Sequence, residues 1–328
     1  MKGLAPALVA LLLLGCLLPV TILAEGEGVI EGQVVNATFG GGTVGEVRVV
    51  MRVYRDAEEH DPTAAVTDAR GRFRFENLDV DSELTYLAQV SYAGVVYSSD
   101  PLRFESGGSS IVTRLTVYED TTDDGAILIE RAHLIVTVMA SGLSVTELHV
   151  LSNSSDRTYV GREVEQGRRA TSEFILPEGA QDLTFEGGYE GGRFLPTSAG
   201  FVDTEPLWPG RTSVVFRYSL GCEDAECTLA RYVTRWTSVL NLLVPDSGVH
   251  VTSEDLTFDG KMETEGGGYL NFVGGEFPPG DTVVAYLRLP QVSAHRRRSP
   301  WTVAVIVLGS LAAVGALACP FWRKGKRT

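Results

Sequence analysis

The chain has 328 residues, of which 42 are acidic and 28 are lysine or arginine, and every acidic residue lies between Glu25 and Pro290. That middle region holds only 20 of the basic residues. Its acidic balance argues against a nucleic-acid or polyanion partner, which requires a basic surface. About 275 residues lie between the two apolar ends of the chain, enough for two domains of ordinary size.

The chain begins with a predicted secretory signal at residues 1–24. Lys2 supplies the positive start, an apolar run follows, and Ala24 provides the small residue that a cleavage site requires. Lipidation at Cys16 is an alternative, because the run Leu13–Cys16 resembles a lipoprotein box. Either interpretation predicts that the following domains are exported.

Residues 25–120 are predicted to form a first β-sandwich. Apolar and polar residues alternate in short runs that are separated by turn-forming residues, a pattern typical of half-buried strands. About seven such strands in about a hundred residues favour a sandwich of two sheets. The alternating positions are Ile30, Gly32 and Val34; Val47, Val49, Met51 and Val53; Phe73 and Phe75; Leu84, Tyr86, Ala88, Val90 and Tyr92; and Ile111, Thr113, Leu115 and Val117.

The segment from Thr67 to Leu78 carries the most specific local signal of this domain. Asp68 can accept hydrogen bonds from nearby backbone N–H groups, and Gly71 can adopt the positive φ that a tight hairpin requires. Phe73 and Phe75 then point into the core from alternate positions. The segment therefore predicts a β-hairpin.

Together with the opening run from Ile30 to Val34 and the strand from Tyr86 to Val90, this hairpin resembles the carboxypeptidase regulatory-like domain. The resemblance covers about 95 residues, and the matching motif is structural rather than catalytic. It implies a transthyretin-like sandwich without enzymatic activity. It also implies a module that supports neighbouring domains or binds carbohydrate or protein.

Lysine is absent from the first domain. Related collagen-adhesin B-type sandwiches often contain an internal Lys–Asn isopeptide bond. No lysine lies between Glu25 and Gly260, so the first domain cannot form such a bond.

Residues 121–126 are predicted to be an acidic linker. Together with Glu119 and Asp120, the segment places four carboxylates within six residues. A solvated linker is the simpler interpretation. Calcium binding at a domain junction is the alternative, because calcium prefers oxygen ligands, although the spacing matches no EF-hand loop.

Residues 127–290 are predicted to form a second, larger β-sandwich. The alternating pattern resumes, and about ten strands separated by proline and glycine leave no helix long enough to cover a parallel sheet. Its first apolar faces are Leu134, Val136 and Val138, then Leu148 and Val150. The later strands are predicted at Ser172–Leu176, Leu183–Phe185, Ser213–Tyr218, Tyr232–Val239, Leu240–Val244, Val249–Phe258, Tyr269–Val273 and Val283–Leu289.

Two histidines of this domain are candidate metal ligands. If the turn near Ser141 places His133 opposite His149, the two imidazoles are cross-strand neighbours and can share a metal ion. Two ligands alone do not make a site, and ordinary partly exposed histidines are the simpler interpretation.

Three aromatic residues are candidate carbohydrate contacts. Trp208, Tyr232 and Trp236 can provide a flat apolar platform for a sugar ring. Packing in the core is the commoner role of large aromatic side chains.

Cys222 and Cys227 are predicted to form a disulfide at a hairpin tip, because both lie in the exported region and are separated by only four residues. Metal binding by the two thiolates would need adjacent ligands, and the sequence provides none.

Asn36 and Asn153 begin glycosylation acceptor motifs, which are relevant only in a host that glycosylates exported proteins.

Residues 301–322 are predicted to form a single transmembrane helix. No charged residue lies between Thr302 and Cys319, and a helix of this length spans about 27 Å, close to the thickness of a bilayer core. Trp301 and Trp322 fit the interfacial positions. A stalk at residues 291–300 precedes the helix, and a basic cytoplasmic tail at residues 323–328 follows it.

No catalytic or phosphate-binding motif is found in the sequence, so no enzymatic activity and no cofactor are expected. The fold class is predicted to be all-β, with two tandem β-sandwiches and one C-terminal membrane helix. The predicted function is a membrane-anchored extracytoplasmic binding or scaffolding protein whose partner is a carbohydrate or an envelope protein. The alternative is a structural subunit or assembly factor of a membrane complex, since Gly309, Ala312 and Ala313 allow close helix contact.

Overall fold

The computed structural model describes residues 28–164, 167–185, 192–264 and 267–290. The regular structure of these residues consists of strands, which confirms the all-β prediction. None of them forms a helix that is long and apolar enough to cross a bilayer. The predicted signal, stalk, membrane helix and tail lie outside the described residues.

The chain divides into two compact units. The first contains the described residues 28–35 and 42–116, and the second contains residues 36–41 and those from 117 onward. The boundary therefore lies slightly before the predicted one at residue 120. The predicted linker also begins within a strand, since Asp120–Thr121 pairs with Thr158–Tyr159.

Seven strands form the first unit, in two sheets. They are β1 (Gly28–Asn36), β2 (Arg48–Arg55), β3 (Glu58–Val66), β4 (Arg72–Leu78), β5 (Thr85–Tyr92), β6 (Val95–Ser98) and β7 (Ser110–Val117). One sheet has the order β4-β1-β7 and the other the order β3-β2-β5-β6. Alternate residues of both sheets are buried, among them Ile30, Met51, Phe73, Tyr86 and Leu115.

The turn predicted around Asp68 is present, but the predicted β-hairpin is wrong, because the strands before and after the turn, β3 and β4, pair in different sheets. The Asp68 carboxylate accepts hydrogen bonds from the N–H groups of Arg70 at 2.8 Å and Arg72 at 2.9 Å. Hydrogen bonds from the backbone and side chain of Arg72 lower the pKa of Asp68 to about 2. Gly71 has φ of +77°, and a Cβ there would lie 2.6 Å from the carbonyl oxygen of Val34, so only glycine fits this turn.

The second unit contains seventeen strands in its described residues. They are β8 (Asp120–Thr121), β9 (Ile127–Met139), β10 (Gly142–Asn153), β11 (Thr158–Tyr159), β12 (Arg162–Glu163), β13 (Arg169–Ala170), β14 (Ser172–Ile175), β15 (Gln181–Phe185), β16 (Phe194–Thr197), β17 (Gly200–Asp203), β18 (Gly210–Gly221), β19 (Glu226–Tyr232), β20 (Thr237–Pro245), β21 (His250–Thr252), β22 (Thr257–Thr264), β23 (Gly267–Phe277) and β24 (Thr282–Arg288).

A seven-stranded sheet forms one layer of this unit, in the order β15-β18-β10-β9-β20-β23-β22. The central pair β9–β20 is parallel, whereas the other neighbouring pairs are antiparallel. Two three-stranded sheets, β14-β17-β16 and β19-β24-β21, share one core with the large sheet. This core includes Leu134, Val145, Phe216 and Leu242 from the large sheet and Phe174, Phe201, Leu229 and Ala285 from the small sheets.

Two predicted strands are divided in the structure. The predicted strand Tyr232–Val239 is interrupted at residues 233–236, and the predicted strand Val249–Phe258 is interrupted at residues 253–256. At each interruption the chain passes from the sheet of β19, β24 and β21 to the seven-stranded sheet. A single straight strand cannot belong to both layers, so the backbone hydrogen bonding of the first sheet ends before the chain joins the second.

Strand β10 places charged side chains on the face that meets the core. Glu147 and His149 are 0% and 1% exposed and lie on the same face as the buried Val145 and Leu151. Leu148 faces the other side of the sheet, where it is also buried. The apolar face predicted from Leu148 and Val150 is therefore not the face that meets the main core.

The buried carboxylate of Glu147 is bound by three side chains, which with it form the Glu147 cluster. Tyr218 donates its hydroxyl to Oε1 at 2.7 Å, and His149 Nε2 lies 2.6 Å from Oε2. Arg231 Nε lies 2.9 Å from the same oxygen, and the arginine side chain is 4% exposed. The cluster thus joins β10 and β18 of the large sheet to β19 of a small sheet.

Burial and pairing determine the charges within the Glu147 cluster. Burial alone would raise the pKa of Glu147, but Arg231 and the hydrogen bonds from His149 and Tyr218 outweigh it and hold that pKa below its ordinary value. Burial lowers the pKa of His149 despite the adjacent carboxylate. At neutral pH the cluster therefore contains one carboxylate, one guanidinium and a neutral imidazole that stacks on Phe216, with ring centroids 5.6 Å apart.

Replacing Glu147 by glutamine is expected to lower the free energy of unfolding by about 3–5 kcal/mol, because Arg231 would remain buried without a counter-charge. Urea unfolding of the full chain in detergent, followed by circular dichroism, measures this change. Glu130→Gln is the control, since its partner Arg211 is 56% exposed and the pair contributes at most about 1 kcal/mol. Equal losses in the two variants would contradict the importance of the cluster.

The stability of the second unit is expected to decrease on acidification. Burial, Arg131 and His149 lower the pKa of His133 to about 4, whereas unfolded histidine titrates near its ordinary value of 6.5. The unfolded chain therefore binds more protons between these values, and stability that is complete above pH 6.5 falls by about 3 kcal/mol as the pH reaches 4.

The variant His133→Gln isolates the contribution of this imidazole to the pH dependence, because glutamine does not titrate. Its loss of unfolding free energy between pH 7 and pH 4 should be smaller than that of the unaltered chain by about 3 kcal/mol. Identical pH profiles for the two proteins would show that His133 does not keep a lowered pKa.

Candidate functional site

A cavity of about 290 Å³ lies in the second unit, where the β19–β20 connection passes the edge of strand β14. Ile127, Tyr159 and Ala170 provide its apolar surface, and the partly exposed ring of Trp236 borders it. We call this site the Trp236 cavity. Its volume is at the lower end of the range for small-molecule sites, about 300–1,000 Å³.

Side-chain hydrogen bonds fix the chain around this cavity. Strand β14 is the last strand of its sheet, and three alternate carbonyl groups along it accept hydrogen bonds from the end of β19 and the connection that follows. The pairs are Thr171 with Arg235 at 3.2 Å, Glu173 with Thr234 at 2.6 Å, and Ile175 with Arg231 at 3.1 Å. These contacts take the place of a further strand at this edge.

Two ion pairs lie at the rim of the Trp236 cavity. Arg235 Nη1 is 3.3 Å from Asp124 Oδ2, and its guanidinium carbon is 5.7 Å from the centre of the Tyr159 ring. Arg162 Nη2 is 3.3 Å from Glu173 Oε2. The rim therefore carries two positive and two negative groups.

Ser172 also lines the Trp236 cavity. The residue is 6% exposed, and its hydroxyl has no hydrogen-bond partner among the described residues. A buried hydroxyl without a partner is unfavourable by about 1–3 kcal/mol. The oxygen itself has almost no accessible surface, so Ser172 lines the cavity without presenting its hydroxyl to it.

The three aromatic residues predicted as a platform are all partly exposed. Trp208, Tyr232 and Trp236 retain 37%, 38% and 44% of their accessible surface. Trp236 lines the cavity, whereas the other two are not part of its lining. Of the three residues of the predicted platform, Trp236 therefore lies at the cavity and the other two lie elsewhere.

The hypothesis of a shared metal at His133 and His149 is wrong. In the observed register His133 pairs with Leu148 and His149 pairs with Ala132, one residue away from the predicted alignment. A shift of one residue moves a side chain to the opposite face of the sheet. The two imidazoles therefore lie on opposite faces.

The acidic segment before β9 is held by its own contacts. The Asp123 carboxylate accepts a hydrogen bond from the N–H of Gly125 at 3.0 Å, and Asp124 pairs with Arg235. Among the residues that the structure describes, no three His, Cys, Asp or Glu side chains are grouped as metal ligands. The calcium alternative for this segment thus has no geometric support in the described part of the chain.

Both glycosylation motifs use their asparagine within the fold. The Asn153 amide is 4% exposed and donates hydrogen bonds to the carbonyl groups of Arg157 and Leu207. The Asn36 amide donates to Glu119 at 2.7 Å. Attachment of a glycan would replace one of the two N–H donors of either nitrogen, and Asn153 uses both of its donors in the fold.

Cys222 and Cys227 are joined by a disulfide in the structure. They flank the short turn between β18 and β19, and Cys227 is buried in the core of the second unit. The turn is closed by reciprocal hydrogen bonds between the backbones of Glu223 and Glu226.

The comparisons with known proteins show no family. No protein-family model and no curated protein match the chain. The full-length major pilin SpaD from Corynebacterium diphtheriae is 10% identical, with 79% of this chain and 82% of that chain covered at a TM-score of 0.22.

Two further solved structures are equally distant. The RrgB pilus protein from Streptococcus pneumoniae is 10% identical over 81% of this chain and 62% of that chain, with a TM-score of 0.19. A mutant of the major pilin from Streptococcus pyogenes is 8% identical over 80% of this chain and 98% of that chain, with a TM-score of 0.15. Scores this low support no argument about fold or function.

Sequence reasoning did not identify Ser172, Arg235 or the ion pairs of the rim. These residues come from segments that are distant in the chain, and Arg235 lies within what is predicted as a continuous strand. The run Thr234-Arg235-Trp236 offers one signal, because two large side chains follow each other where a half-buried strand would alternate.

Replacing both cysteines by serine is expected to lower the free energy of unfolding by about 2 kcal/mol, the loop-closure value for a ring this short. Thermal unfolding of the oxidised chain and of the Cys222→Ser/Cys227→Ser variant measures the difference. The reducing agent dithiothreitol should shift the unaltered chain to the stability of the variant and leave the variant unchanged. An unaltered chain that is insensitive to reduction would contradict this prediction.

Proposed function

We propose that the chain is a membrane-anchored extracytoplasmic binding or scaffolding protein that contacts carbohydrate or protein through β-sandwich modules. The observation that carries the proposal is the Trp236 cavity, in which an exposed indole borders a pocket with both donors and acceptors at its rim. Ligand sites combine apolar surface with convergent polar groups, and this cavity contains both, with polar residues in the majority.

Anchoring and export are part of the same proposal. The apolar leader at residues 1–24 and the uncharged segment between Thr302 and Cys319 support it from the sequence. The disulfide between Cys222 and Cys227 also fits an oxidising compartment.

We assign the first unit a supporting role, as the resemblance to the carboxypeptidase regulatory-like domain implies. The tight turn at Asp68 and Gly71, which the matching motif contains, supports this assignment. Binding is assigned to the second unit, and no catalytic step is assigned to either.

Trp236→Ala is expected to weaken binding of a carbohydrate or protein ligand about tenfold, because a partly exposed ring contributes about 1 kcal/mol or more to such contacts. An array of glycans and purified envelope proteins, probed with the full chain in detergent, identifies the ligand. Trp208→Ala is the matched control, since Trp208 is exposed to a similar extent and lies outside the cavity. A ligand that both variants bind equally well would exclude the Trp236 cavity as its site.

A further inference from the structure

We infer that the Trp236 cavity binds one uncharged sugar ring, which stacks on Trp236 and engages the two ion pairs of the rim with adjacent hydroxyl groups. This inference rests on the proposed function and names the ligand class of the same site. Four properties of the cavity lead to it: its charge balance, its spare hydrogen-bonding capacity, the closed edge of β14 and its size.

The charge balance of the rim favours an uncharged ligand. Arg162 and Arg235 are matched by Asp124 and Glu173, so the cavity has no net formal charge. An anionic ligand would meet two carboxylates, and a cationic ligand would meet two guanidinium groups. An uncharged ligand is repelled by neither the carboxylates nor the guanidinium groups of this rim.

The rim offers both donors and acceptors to such a ligand. A guanidinium has five N–H donors and a carboxylate has about four acceptor positions, and each rim pair uses only part of this capacity. Adjacent hydroxyl groups of a sugar ring both donate and accept, so they can bind a guanidinium and a carboxylate together.

The closed edge of β14 argues against an extended peptide as the ligand. A peptide that adds a strand needs free backbone groups along an edge. The carbonyl groups of Thr171, Glu173 and Ile175 already accept side-chain hydrogen bonds. The side chains that make these contacts lie between the edge and an incoming strand, so we assign recognition at this cavity to side chains and ring surfaces.

The size and the indole of the cavity point to a single ring. A volume of about 290 Å³ is small for a ligand site. The ring of Trp236 is 44% exposed and provides a flat apolar surface next to the polar rim. A sugar ring has the matching combination of one apolar C–H face and hydroxyl groups at its edge.

The test uses the full chain in a detergent without sugar headgroups. Methyl glycosides of glucose, galactose, mannose and N-acetylglucosamine are titrated while tryptophan fluorescence is recorded, with glucuronic acid as the anionic probe and glucosamine as the cationic probe. At least one uncharged glycoside should bind more tightly than both charged probes. Its affinity should fall about tenfold in Trp236→Ala and stay unchanged in Trp208→Ala.

A second variant tests the role of the rim charges. Glu173→Gln removes one negative charge, and the side chain is 40% exposed, so the fold should tolerate it. Affinity for glucuronic acid should rise several-fold relative to the uncharged glycoside, which a merely structural role of Glu173 would not produce.

The outcomes separate this inference from the proposed function. If none of the uncharged glycosides binds, or a charged probe binds best, the inference is overturned. The proposed function would survive that result if a purified protein ligand bound in a manner that depends on Trp236. If no ligand shows dependence on Trp236, both proposals fail.

Discussion

The second unit depends on one buried carboxylate. Glu147 receives hydrogen bonds from Tyr218 and His149 of its own sheet and an ion pair from Arg231 of the facing layer. Because Arg231 also donates to the carbonyl of Ile175, the same side chain reaches the edge of β14. The two layers are therefore held in a defined position by directed contacts as well as by apolar packing, which is less selective about geometry.

This arrangement also explains how the candidate site is built. Arg231 is fixed in the core, and the chain leaves β19 directly after it. Thr234 and Arg235 then donate to the carbonyl groups of Glu173 in β14 and of Thr171 just before it, which leaves Trp236 at the rim of the cavity. The Trp236 cavity is thus positioned by the chain that connects the two layers, and its other lining residues belong to elements that pack independently of that connection.

Much of the fold follows from the two-residue alternation in the sequence, which predicts β1, β2, β4, β5 and β7 of the first unit and the turn at Asp68. It does not predict the exposed strand β3 or the four-residue strand β6. The register of β9 and β10 is harder to predict, because both faces of β10 are buried and alternation does not distinguish them. Glu147 and His149 look like solvent-facing residues beside Leu148, and only their shared partners explain why they face the core. The cavity was beyond sequence reasoning, since Asp124, Arg162 and Trp236 meet only after the layers have packed.

The parallel pairing of β9 and β20 has a consequence for how this protein is made. Ile129 pairs with Thr237 at the centre of the seven-stranded sheet. Strand β9 therefore pairs with a strand that is synthesised about a hundred residues later. Contacts of such large sequence separation are slow to form. During synthesis, one side of β9 stays open to incorrect pairing until β20 has been made, and assembly of this unit is therefore limited by the synthesis of its C-terminal half.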